Sequence, residues 1–173
     1  AIRPGDILTT SSGKTVEVDN TDAEGRLILA DALHYSARFN PDIVIDFASL
    51  TGACIVALGH EAAGMMGNDQ GLLDELQKLG EQVGERVWPM PLYDEYLSYL
   101  KSEWADIKNV GGRWGGAVTA GTFLKQWVPE KVSWAHLDIA GVGYNEKEHN
   151  GLPKGASGFG VVLTATFLEN LLK

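Results

Sequence analysis

Thr15-Val16-Glu17-Val18-Asp19-Asn20-Thr21-Asp22-Ala23-Glu24-Gly25-Arg26-Leu27 changes its periodicity halfway along. Thr15 to Val18 alternates as a strand does, and the polar, turn-prone residues 19–22 predict its end. From Arg26 onward, Leu27, Ala30, Leu33 and Ala37 recur at helical spacing. Asn40-Pro41 stops that pattern, because a residue before proline is pushed out of the helical region, so a helix of about four turns is expected. Ile43-Val44-Ile45 then continues through Asp46 into Phe47-Ala48, a nearly unbroken apolar run of the kind buried on both faces of a sheet. These pieces predict a strand, helix, strand unit. A helical crossover normally joins parallel neighbours, so both strands are expected to run out at one sheet edge. Residues 22–26 and 49–52 would then face a single crevice, where open α/β sheets place their ligands.

Working outward, residues 62–66 predict a short strand. Residues 72–83 predict an amphipathic helix that buries Leu72, Leu73, Leu76 and Leu79. A further helix is expected over 93–101. Gly111-Gly112-Arg113-Trp114-Gly115-Gly116 is too glycine-rich for a regular element and predicts a loop, with helical pattern resuming over 119–127. Residues 132–139 read as a strand, 141–160 as irregular chain with six glycines, and 161–172 as a closing helix.

With 173 residues, 45% of them hydrophobic and 21% charged, the chain has the composition of one soluble globular domain, which excludes disordered and fibrous classes. No run reaches the 18 or so apolar residues of a spanning helix, and Ala1-Ile2-Arg3-Pro4 lacks the charged-then-apolar order of a signal peptide. A cytoplasmic location without membrane partners is the expectation. Cys54 is the single cysteine, which excludes an internal disulfide and a thiolate metal cluster. A net charge of −9 repels phosphate backbones and argues against nucleic acid as a partner.

Asp22 and Glu24 stand two apart, and in an extended turn their carboxylates would point the same way. Hard divalent cations take such oxygen ligands, and one carboxylate can bridge two ions roughly 3.5–4 Å apart. Gly25 allows close backbone approach. Arg26 adds a planar donor fork beside a helix start, a combination suited to a carboxylate or carbonate anion. The other reading of the same residues makes Asp22 and Glu24 helix caps that complement the macrodipole.

The run Asn20-Thr21-Asp22-Ala23-Glu24-Gly25-Arg26-Leu27-Ile28-Leu29-Ala30-Asp31-Ala32-Leu33 resembles the signature of the leucyl aminopeptidase family, the two-metal cytosolic aminopeptidases. The resemblance covers essentially the whole chain. It includes Arg3-Pro4-Gly5-Asp6, Ser12-Gly13-Lys14-Thr15, Ser49-Leu50-Thr51-Gly52-Ala53, Pro91-Leu92, Ala105-Asp106, Asn109-Val110-Gly111-Gly112, Trp134-Ala135-His136-Leu137-Asp138-Ile139-Ala140-Gly141 and Lys154-Gly155-Ala156-Ser157-Gly158. It implies an α/β fold of three layers, α/β/α, around a central mixed, largely parallel sheet. The chain would form a single domain over 1–173, the C-terminal portion of the catalytic domain.

By that resemblance Asp22 and Glu24 would be ligands of two divalent metal ions, manganese or zinc, with Glu24 bridging. Arg26, with the backbones of Ala23, Gly25 and Leu50, would hold a bicarbonate that serves as general base for the attacking water. The Leu50 carbonyl and Gly52 amide would hold the substrate backbone. Asn20, Ala23 and Val110 would line the pocket after the scissile bond, and Ser49, Gly52 and Ala140 the pocket for a Leu-like N-terminal side chain. The family's remaining metal ligands, a lysine and two aspartates, and its catalytic lysine are expected N-terminal to this chain's first residue. Lys14 matches the lead-in strand rather than that segment. The function implied is metal-dependent removal of Leu-like N-terminal residues from peptides, in a homo-oligomer that family members build as a hexamer; the alternative is an inactive piece serving as scaffold.

None of His34, His60, His136 and His149 forms a His-x-x-x-His pair, so a zincin site has no support. Strand alternation puts His136 and Asp138 on one face, where they are expected to bond locally as core residues. Cys54 is expected to be a small buried hydrophobe, and Trp88, Trp104, Trp114, Trp127 and Trp134 to be core or interface anchors.

Overall fold

The computed structural model describes residues 1–149, 151 and 153–172. The chain begins with an antiparallel pair, β1 (Ile7–Thr9) and β2 (Thr15–Glu17), followed by a 3-10 turn (Thr21–Ala23) and α1 (Glu24–Ser36). Asn40, in the left-handed conformation at φ 46°, ends the helical run one residue before Pro41. Then come β3 (Ile43–Ala48), α2 (Gly52–Leu58), β4 (Ala63–Gly67), α3 (Gln70–Val83) and β5 (Val87–Pro89). A 3-10 segment (Asp94–Leu100), β6 (Ile107–Lys108), α4 (Gly116–Lys125) and β7 (Ser133–Asp138) follow. A small hairpin of β8 (Tyr144–Asn145) and β9 (Gly155–Ala156) precedes α5 (Val161–Leu171).

The central sheet has the order β3-β7-β4-β5. It is mixed and largely parallel: β3 with β7 and β4 with β5 are parallel, and β4 with β7 is antiparallel. Period-2 alternation divides its side chains between two cores. On one face Ile43, Ile45 and Phe47 of β3 and Ala135 and Leu137 of β7 meet Leu72, Leu73, Leu76 and Leu79 of α3 and Leu163 and Phe167 of α5. On the other, Val44 and Trp134 pack with Ala30 and Leu33 of α1 and with Phe123, Leu124 and Trp127 in and after α4. Two helical layers thus enclose the sheet, as the three-layer expectation requires.

Two expectations need correction. First, β2 and β3 are not sheet neighbours. β2 is the middle strand of a separate three-stranded sheet, with β1 on one side and β6 on the other, so both its edges are used; β3 takes β7 as its parallel partner. Second, the helix expected over 93–101 is a 3-10 segment. Its period of three aligns Tyr93, Tyr96 and Tyr99, whose ring centroids stand 6.1 and 6.2 Å apart in succession. Of the tryptophans, Trp127 and Trp134 are buried in the core, whereas Trp88, Trp104 and Trp114 are more than half exposed.

Candidate functional site

The turn after β2 is held from across the fold by one side chain. Asn109, fully buried just past β6, accepts from the Asp19 and Asn20 amides through Oδ1 and donates through Nδ2 to the Asn20 carbonyl at 2.6 Å. Its own amide donates to the Glu17 carbonyl, extending the β2–β6 ladder. Asn20 then accepts from the Asp22 amide at 2.9 Å and caps the 3-10 turn. The capping expected of Asp22 and Glu24 therefore falls to Asn20, and α1 itself starts at Glu24 with no side-chain cap bond.

Asp22 and Glu24 are both exposed, and neither carboxylate has a hydrogen-bond or ion-pair partner among the described residues. The backbone beneath them is not extended: Asp22 lies in the 3-10 turn, Glu24 opens α1, and Ala23 between them stands at φ −104° and ψ 39°. The extended, strand-like turn in which the two carboxylates would point the same way is therefore not what the fold provides.

Arg26 lies one turn into the same element and is only 6% exposed. Its Nη1 donates to the Asn109 carbonyl at 2.7 Å, while Nε is buried without a partner. Burial brings its pKa down to about 10, with the negative charge of Asp138 working in the opposite direction. Gly25 faces the second wall: a Cβ there would stand 3.4 Å from Leu50 Cδ1. Residues 22–26 and 49–52 thus do approach each other, although β2 and β3 share no sheet.

The second wall is gathered on Asp138, at the end of β7 and fully buried. Its Oδ1 accepts from the amides of Leu50 (3.1 Å), Thr51 (3.4 Å) and Ala140 (3.2 Å), and its Oδ2 accepts from the Thr51 hydroxyl (2.6 Å). The Thr51 hydroxyl oxygen in turn accepts from the Cys54 amide at 3.0 Å and caps α2. Ser49 and Gly52 are exposed beside this knot, and Leu50 and Ala140 are half-buried.

The candidate residues therefore fall into two sets. Asn20, Asp22, Ala23, Glu24, Gly25 and Arg26 are organised by Asn109, with Val110 next to it in sequence. Ser49, Leu50, Gly52 and Ala140 are organised by or beside Asp138. Asn109, Thr51 and Asp138 were not among the sequence candidates. For Asn109 and Asp138 the signal is a polar residue at or just past the end of a strand, and for Thr51 a hydroxyl just before a helix; the residue string shows these without showing their partners.

His136 corrects another expectation. It shares a sheet face with Asp138, but its bond is to Asp46, its register partner on β3, at 2.6 Å from Nδ1 to Oδ1. Asp46 Oδ2 also accepts from Trp134 Nε1, and His136 Nε2 is buried without a partner. His60 bonds the Gly141 carbonyl through Nδ1, and His149 pairs with Glu61 at 3.2 Å. Lys14 donates to the Gln126 carbonyl and lies over the Trp127 ring, away from the acidic turn. Cys54 is buried, and burial pushes its thiol up to about 11. Among the described residues no three His, Cys, Asp or Glu side chains converge to hold a metal ion, and no helix is long and apolar enough to cross a membrane.

Comparison with known proteins gives a consistent result. The description "Cytosol aminopeptidase family, catalytic domain" matches residues 1–165. A probable cytosol aminopeptidase of Geobacter sp. (strain M21) is 56% identical over 169 residues, 98% of this chain and 34% of that protein. Another, from Xanthomonas oryzae pv. oryzae, is 58% identical over 146 residues, 84% of this chain and 30% of that protein. A solved tomato leucine aminopeptidase mutant superposes with a TM-score of 0.92 at 46% identity, over 98% of this chain and 32% of the other. The chain spans about a third of the length of the curated relatives it matches.

Proposed function

Because the chain belongs to the cytosol aminopeptidase family, we propose that it carries part of the active site of a metal-dependent aminopeptidase that removes Leu-like N-terminal residues from peptides. The observation that supports this most is the acidic turn itself: two exposed carboxylates without partners among the described residues, beside an arginine that is buried with its Nε unpartnered. Carboxylate oxygens suit manganese or zinc in kind, and two of them leave most coordination positions to water or to residues beyond this turn. The unpartnered Nε of Arg26 suits a small anion such as bicarbonate. When bound, the ions would polarise the scissile carbonyl and acidify the attacking water, and the bicarbonate would supply a proton acceptor.

The chain's own residues do the holding. Asp22 and Glu24 would offer the metal ligands, with Glu24 as the bridging one by the family resemblance. Arg26, with the backbones of Ala23, Gly25 and Leu50, would hold the anion, and the start of α1 beside it favours negative charge through the helix dipole. The Leu50 carbonyl and Gly52 amide orient the substrate backbone. Ser49, Gly52 and Ala140 offer small walls to its first side chain, and Asn20, Ala23 and Val110 line the pocket after the scissile bond. The working form is a cytoplasmic homo-oligomer, a hexamer by analogy with the family.

A second reading, that these residues serve as scaffold and assembly surface without activity of their own, draws on the lack of any three converging metal ligands among the described residues. Incubating the purified chain, and separately the whole protein, with manganese or zinc and leucine p-nitroanilide decides between them. Metal-dependent release by the whole protein is the expected result, and its absence overturns the aminopeptidase reading. Release by the chain alone overturns the scaffold reading.

A further inference from the structure

Asp138 is a fully buried carboxylate whose hydrogen-bond donors all come from two places about ninety residues apart in the chain: Leu50 and Thr51 on one side, Ala140 on the other. A buried carboxylate is costly unless every acceptor position finds a donor, and here a single oxygen receives three amides. Those amides belong to residues that flank or form the small-walled pocket beside the acidic turn. The other oxygen holds the Thr51 hydroxyl, whose own oxygen is committed to the first turn of α2. Moving Asp138 therefore moves Leu50, the start of α2 and Ala140 together. Arg26, the nearby cation, spends its Nη1 hydrogen bond on the Asn109 carbonyl, so Asp138 acts on it only through charge.

We propose that Asp138 is a positioning residue that sets the separation between the Leu50 and Ala140 walls and so tunes which N-terminal side chain the pocket accepts. This rests on the aminopeptidase reading above, in which Leu50 orients the substrate backbone and Ala140 lines the side-chain pocket. Asp138 touches no substrate in this scheme. It acts through three backbone amides and one hydroxyl.

The test compares kcat/KM for leucine and alanine p-nitroanilides in the whole, metal-loaded protein and in its D138N, T51V and T51S variants. The ratio of the two values is read within one preparation, so loss of folded protein cancels. D138N removes the charge and replaces one acceptor oxygen by a donor; T51V removes the hydroxyl at nearly constant volume; T51S keeps it. The expected result is a Leu-to-Ala ratio about tenfold lower in D138N and T51V, the scale of a pocket contact of this kind, with T51S retaining the wild-type ratio. An unchanged ratio in D138N or T51V overturns the proposal, as does a T51S ratio that falls with T51V. Should D138N fail to fold, T51V and T51S carry the comparison alone. A wild-type protein that hydrolyses neither substrate overturns the aminopeptidase reading and this proposal with it, whereas an active wild type with unmoved ratios overturns only the role of Asp138.

Discussion

At the scale of single residues, the site is built on polar groups that are buried and individually bonded. Asn109 shows why such a group is hard to replace: its amide side chain meets two backbone donors and a backbone acceptor of a turn far away in sequence, which takes a donor and an acceptor on one short side chain. Arg26 is the residue on which the chemistry rests in our reading. Arg26→Ala in the whole protein is expected to lower kcat for leucine p-nitroanilide by about a hundredfold or more while KM changes little, since proton transfer to a positioned base is worth roughly 10²–10⁴ in rate and in this reading the anion would act on the attacking water rather than bind the substrate. Steady-state kinetics at saturating bicarbonate check this; an unaltered kcat removes Arg26 from the mechanism.

At the scale of elements, the walls of the site depend on how closely the chain leaving β7 passes the end of α2. A Cβ on Gly141 would stand 2.2 Å from the Gly59 carbonyl oxygen, a backbone atom that cannot swing aside. His60 reinforces the same contact by bonding the Gly141 carbonyl at 2.7 Å. Gly141→Ala should therefore destabilise the fold by about 1–3 kcal/mol through overpacking, read as a lowered urea midpoint at an unchanged slope. A midpoint equal to wild type would show that the chain at Gly141 has room to move away from the Gly59 carbonyl. The same junction explains why α2, seven residues long, holds its place: it is capped by Thr51 at one end and pressed by the β7 exit at the other.

At the scale of the whole molecule, charge bears on stability. With a net charge of −9 the folded chain is under mutual repulsion, and acid relieves it while removing specific carboxylate contacts. Asp106 is one such contact. It accepts from the Thr15 amide and hydroxyl, both at 2.8 Å, and the backbone bond, then the hydroxyl bond, depress its pKa. A folded-state pKa below the unfolded value means stability that is present above about pH 4, the ordinary aspartate value, and lost as pH falls through the depressed pKa. Asp106→Asn should therefore lower the urea midpoint near pH 7 by a modest amount, because the contact is fully exposed, and the gap between variant and wild type should close on titration below pH 4. A gap that widens in acid would reverse the sign and the argument.

Much of this was legible in the residue string, for a physical reason. Local periodicity reports what each element buries, so Leu72, Leu73, Leu76 and Leu79 marked the inner face of α3, the run 43–48 marked a sheet strand, and Asn40-Pro41 marked the stop after α1. The run from Asn20 to Leu33 pointed to the family for the same reason, since contiguous residues carry it intact. What no local pattern holds is the identity of partners distant in sequence. That β3 pairs with β7 rather than β2, that His136 bonds Asp46 rather than Asp138, and that Asn109 and Asp138 assemble the two walls around Arg26 are results of strand register and of buried polar groups finding their complements. Local sequence proposes the elements and the chemistry of the turn, and only packing decides which side chains meet.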